Sequence, residues 1–170
     1  MNLDKLVRRG QPPWRPVPEA EDVDIWEKLD FPTRGTYRID GQLVIYTLIT
    51  TAASRSLWAY VPATAEAAKI IEANPRFETE GDFIAFLDSC FTNREVVFAA
   101  AEGFAITTKS DGTFIPPSKN ALILAGTRWY LERSAALNAG LQKELAAVDE
   151  ATDTSEIVRT AQGALAGLPA

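Results

Sequence analysis

Few side chains in this sequence can make or break bonds, and none of them is a histidine. Without imidazole the chain cannot build Ser-His-Asp or Cys-His nucleophiles, the commonest zinc and iron sites, or a histidine pH switch. The single cysteine, Cys90, has no partner for an internal disulfide and no histidine to take its proton. Within "FIAFLDSCF" it reads as a small buried thiol. What remains is carboxylate, lysine or arginine chemistry, and hard-metal sites built from oxygen. A carboxylate pair could do acid–base work of the glycosidase kind, and the candidates are Asp40, Asp82, Glu95 and Glu102. All four fall at turns or helix starts, where acids ordinarily serve as caps. The acidic run "EAEDVD" (Glu19, Glu21, Asp22, Asp24) has neither the glycine nor the distal glutamate of a calcium loop, so it reads as a solvated negative patch. The glycines form no phosphate-binding loop. Neither a metal site nor a cofactor is expected.

The residue types suited to binding are better placed. "GQPPWRPVPEAEDVD" (10–24) is a proline-rich arm carrying Trp14 and Arg15, the types most often found at binding hot spots. Its prolines favour an extended path that costs little entropy to order. Either Trp14 folds back as a strap on its own domain, or the arm reaches a partner; nine extended residues at roughly 3.1 Å each span about 28 Å, enough for both. The second candidate is Trp129 in "TRWYLERSAALNAGL". Its neighbour Tyr130 falls on the Leu137–Leu141 stripe, and adjacent helical residues point about 100° apart. Trp129 therefore belongs either to a broad buried arc or to a second surface. Trp14, Arg15 and Trp129 are the candidate partner-binding residues.

The composition frames these candidates. A chain of 170 residues, 46% hydrophobic and 24% charged, is that of an ordinary globular domain able to bury about 70% of its unfolded surface. No apolar run approaches the roughly 20 residues needed to span a bilayer, and the first twenty residues lack the apolar stretch of a signal peptide. A cytoplasmic location and no membrane partner are expected. The net charge of −6, with basic residues scattered, argues against nucleic acid as a partner.

The elements that must position these residues follow from periodicity. Asn2 can cap a brief amphipathic helix closed by Gly10, and "EDVDIWEKLDF" (21–31) reads as a short helix with Val23, Trp26 and Leu29 at spacings of three. Asp40-Gly41 between β-branched and aromatic runs is the favoured two-residue hairpin turn. "SLWAYVP" is a further strand. Helices follow at "AEAAKIIEA", capped by Thr64, and at "EGDFIAFLDSCF", with Phe83, Phe86, Leu87 and Cys90 on one face. "REVVFAAAEGFAITTKSDG" resumes strand character, as a pair turning near Glu102-Gly103 or as one bent strand. Ser118 then caps a long helix to about Val148, weakened by Gly126 and Gly140, and a final helix is capped by Thr154 or Ser155. Strand 43–49 is apolar on both faces and so is central, with a cover on each side.

The expected fold is α+β: an antiparallel sheet of about five strands with helices packed on it, a proline-rich N-terminal arm and a long C-terminal helix. It divides into an N-terminal helix and arm (1–18), one α+β domain (19–148) and a helical tail (149–170). Over roughly 20–148 this order of elements resembles that of bacterial secretion chaperones and related α+β protein-binding folds. The arm and the terminal helix depart from it. With so little bond-making chemistry available, the expected function is that of a non-enzymatic protein-binding factor, of adaptor, chaperone-like or immunity type, acting through its arm and long helix on another protein or a second copy of itself. The alternatives are a small carboxylate-dependent hydrolase or transferase, or a small-molecule binding module, which an apolar cavity beneath the sheet would favour.

Overall fold

The computed structural model describes residues 23–28, 32–39, 41–52, 54–73, 76–102, 105–109, 113–114, 118–132, 143, 146–149 and 152–166. The N-terminal helix, Trp14, Arg15, Asp40 and residues 133–142 lie outside them.

Four strands open the described chain: β1 (Val23–Lys28), β2 (Pro32–Ile39), β3 (Gln42–Ala52) and β4 (Arg55–Pro62). Helices α1 (Ala65–Glu72) and α2 (Glu80–Phe91) follow. Strands β5 (Glu95–Glu102), β6 (Ala105–Lys109) and the two-residue β7 (Thr113–Phe114) come next, then α3 (Lys119–Glu132) and α4 (Thr154–Ala166). The strands lie in chain order, β1 to β6, with β7 also pairing β5, and every pair is antiparallel. The class is therefore α+β, as expected, but the count of about five strands is not. Four longer strands, β2 to β5, make the body of the sheet, and the shorter β1 and β6 flank it.

Local chemistry explains most elements. Ile39 pairs Gln42 across the two-residue turn, and Gly41 there takes a positive φ of 74°, which a residue with a β-carbon resists. Thr64 accepts from the Ala67 amide at 3.0 Å to start α1. Thr79 and Asp82 form a reciprocal capping box on α2, and Ser118 Oγ accepts from the Ala121 amide at 2.9 Å to start α3. Such caps stabilise a helix by about 1 kcal/mol each.

Two expectations need correction. Residues 21–31 do not form a helix, because β1 pairs along β2. The three-residue spacing of Val23, Trp26 and Leu29 imitates a helix, whereas the register irregularity at Ile25–Glu27 lets Trp26 pack edge-on against Phe83 and Phe86 of α2. The final helix is capped by Asp153, one residue before the expected Thr154, since Asp153 Oδ1 accepts from the Ser155 amide at 2.9 Å. Of the long helix expected from Ser118 to about Val148, the part to Glu132 is described as α3, residues 143 and 146 are helical, and residues 133–142 lie outside the described residues.

One face of the sheet forms the main core. Leu43, Ile45, Leu57, Val61 and Phe98 pack there with Ile71 of α1, Leu87 and Phe91 of α2, and Leu122 and Trp129 of α3. Helix α4 packs on α3 through Ile157, Ala161 and Ala164, which meet Ile123, Leu124 and Leu131. The opposite face is buried as well: Val44, Tyr46, Trp58, Tyr60 and Ala99 are at most 2% exposed. Trp58 donates to Ser56 Oγ at 2.7 Å. Burial raises the Tyr46 phenol to about 12 and lifts that of Tyr60 above its usual range, with Tyr46 adding to the effect. Strand β3 is thus apolar and buried on both faces, as its composition implies.

Candidate functional site

Only some of the residues nominated from sequence are among the described residues. Trp14 and Arg15 lie outside the described residues. Trp129 is 6% exposed and stacks on Phe98 with ring centroids 5.9 Å apart and planes at 26°, a core contact of the kind that adds about 1 kcal/mol beyond burial. Of the acids, Asp82 is held in the α2 capping box. Glu95 and Glu102 are exposed at opposite ends of β5, and the pairing of Glu102 with Arg55 is one of strand register.

A different group of residues does converge. A cavity of about 140 Å³ lies between the helix-bearing face of the sheet and the helices. Thr47 and Ile49 of β3 form its floor; Leu87 and Phe91 of α2, Leu122 and Ile123 of α3, and Val158 of α4 form apolar walls. Three charged residues join the lining: Arg34 from β2, Asp88 from α2 and Lys119 from α3.

Hydrogen bonds hold these walls in place. The Asp88 carbonyl accepts from the amide and hydroxyl of Thr92 at 3.0 and 2.7 Å, which fixes the last turn of α2. The Ser118 cap places Lys119 at the first position of α3. Asn120 Nδ2 donates to the Thr152 carbonyl at 3.3 Å, and the Thr154 hydroxyl donates to Asn120 Oδ1 at 3.0 Å. These two bonds set the start of α4 beside the start of α3 and bring Val158 onto the cavity.

The electrostatics are uneven. Burial raises the Asp88 carboxyl above the ordinary carboxylate range, although Lys119 and Arg34 pull it down. Both cations are therefore near enough to be felt, yet among the described residues no ion pair or hydrogen bond engages the Asp88 carboxylate or the Lys119 ammonium. Asp88 is absent from the sequence candidates because five elements, β2, β3, α2, α3 and α4, build the cavity. Its signal was a carboxylate on α2 four residues after Ile84 and beside Leu87, at the edge of an apolar face.

The size and lining bound the chemistry. Sites for drug-sized ligands run from about 300 to 1,000 Å³, so this cavity is too small for a nucleotide or a flavin. Asp88 is the one carboxylate in its lining, so the paired acids of a glycosidase are not provided here. Among the described residues no three Cys, Asp or Glu converge as metal ligands, and no helix is long and apolar enough to cross a membrane.

Fold and site together define an α+β domain with a small, mixed-charge cavity between sheet and helices. Compared with known proteins, the chain matches no family model, none of the curated proteins and no solved structure.

Proposed function

We propose that the protein is a non-catalytic binding module that holds a small, partly apolar molecule between its sheet and its helices. The observation that carries this reading is the cavity itself, apolar in its walls and charged at Arg34, Asp88 and Lys119. Apolar pockets with a few convergent polar groups are the usual form of small-ligand sites, and a cavity near 150 Å³ accommodates a molecule such as benzene. The test is ligand-observed NMR with a fragment library on wild type and on Val158→Phe, which fills the cavity from a half-buried position. Hits that bind wild type and are lost in a folded Val158→Phe support the reading. Hits that bind both equally, or no hits, contradict it.

A second reading, binding of another protein or of a second copy, rests on a separate observation. Trp26, Phe77, Phe83 and Phe86 form a half-buried aromatic cluster on the other flank of α2, with Phe77 5.4 Å from both Phe83 and Phe86. Aromatic residues are enriched in interface cores, and the Trp14–Arg15 arm would add to such a surface. Sedimentation at rising concentration, with wild type and Phe77→Ser compared, tests it. Self-association lost in the variant supports a second copy, and a monomer throughout removes that version.

A further inference from the structure

Charges of both signs line the cavity, and two of them stand at helix ends. Lys119 stands at the first position of α3, where the partial positive charge of the helix lies. Asp88 stands in the last turn of α2, where the partial charge is negative. Arg34 adds a second cation from the sheet. The lining thus offers two groups that favour an anion and one that favours a cation. Among the described residues neither the Asp88 carboxylate nor the Lys119 ammonium spends its charge on a contact within the fold.

Each simple class of ligand fits this arrangement only in part. A lone anion would meet Lys119 and Arg34 but face Asp88. A lone cation would meet Asp88 but face the other two. A neutral apolar molecule would strip water from the half-buried Asp88 carboxylate and return nothing for it. A molecule carrying its own carboxylate and its own ammonium answers both signs, provided that its remainder is apolar enough for Leu87, Phe91, Leu122 and Val158. At about 140 Å³, the space suits a tail of four or five carbons, with the charged head at the polar rim.

We infer that the cavity takes a free aliphatic α-amino acid of about the size of leucine, its carboxylate toward Lys119 and Arg34 and its ammonium toward Asp88. This rests on the small-ligand reading above and names the class of ligand.

The experiment is calorimetric titration of wild type with L-leucine, 4-methylpentanoate, which lacks the ammonium, and isopentylamine, which lacks the carboxylate. Leucine binds about tenfold or more tightly than either analogue, the effect of one charge-assisted contact. Asp88→Asn weakens leucine by about tenfold and erases its advantage over 4-methylpentanoate, while Lys119→Met erases its advantage over isopentylamine. Thermal melts of both variants establish that they are folded. If either analogue binds wild type as tightly as leucine, the amino-acid inference falls and the small-ligand reading stands. If none of the three binds while other fragments do, the inference falls alone; if nothing binds, both fall.

Discussion

Gly126 and Ile49 are in direct contact: a β-carbon built on Gly126 would lie 2.7 Å from Ile49 Cδ1 and 3.0 Å from Phe98 Cε1. Helix α3 rests on the sheet at this point, and because Ile49 also lines the cavity, the contact sets how far the wall carrying Leu122 and Ile123 stands from its floor. A glycine in a helix costs about 1 kcal/mol of intrinsic propensity; here it permits the close approach.

Gly126→Ala therefore destabilises the protein although it improves helix propensity. The end of Ile49 can rotate aside, but the Phe98 ring is held against Trp129. Overpacking of this kind costs about 1–3 kcal/mol, enough to exceed the propensity gain. Gly163 in α4 is the control, since a β-carbon there meets nothing within 4 Å and Gly163→Ala stabilises by up to about 1 kcal/mol. Urea unfolding of the two variants checks the opposite signs.

Thr50 carries a buried cost of its own. Its hydroxyl lies out of solvent without a hydrogen-bond partner, and the residue is 5% exposed. Thr50→Val keeps the shape and removes the desolvated oxygen, so it stabilises by about 1 kcal/mol. A drop in melting temperature would show that the hydroxyl is engaged.

Asp88 links stability to pH. Burial raises its folded carboxyl above the ordinary aspartate value, so the folded state keeps this proton to higher pH than the unfolded state does. The resulting penalty is absent below the unfolded pKa and fully present above the raised folded one. Asp88→Asn accordingly melts higher than wild type at neutral pH, and the difference shrinks as the pH falls through the carboxylate range. A difference that stays constant down to acid pH would contradict the burial argument.

Cys90 is chemically quiet in the folded protein. It is 5% exposed, and burial raises its thiol to about 11, so almost none is thiolate near neutral pH. An aromatic disulfide reagent reacts with one equivalent in denaturant and with none in the native state on the time scale of mixing. Prompt native labelling would place Cys90 nearer the surface.

Local chemistry made part of this fold readable in the sequence. The Asp40-Gly41 turn, the Thr64 and Ser118 caps and the doubly apolar β3 each carry their cause in adjacent residues. Strand β1 was misread because three apolar residues at helical spacing also suit an irregular strand, and pairing with β2 decides between them. The cavity was not legible, since Arg34, Asp88 and Lys119 come from three elements and only packing brings them together. Trp129 stood out as a surface candidate because of its type, yet Phe98, distant in sequence, claims its ring.

The central claim, that an amino acid of the size of leucine occupies the cavity between β3, α2, α3 and α4, is tested most directly by methyl NMR of isoleucine-labelled protein titrated with L-leucine. The account predicts shifts at Ile49, Ile84 and Ile123, which line the cavity, with Ile45, Ile71 and Ile157 in the surrounding core little changed. Saturating shifts at the second set with none at the first, or no shifts at any leucine concentration, would contradict it.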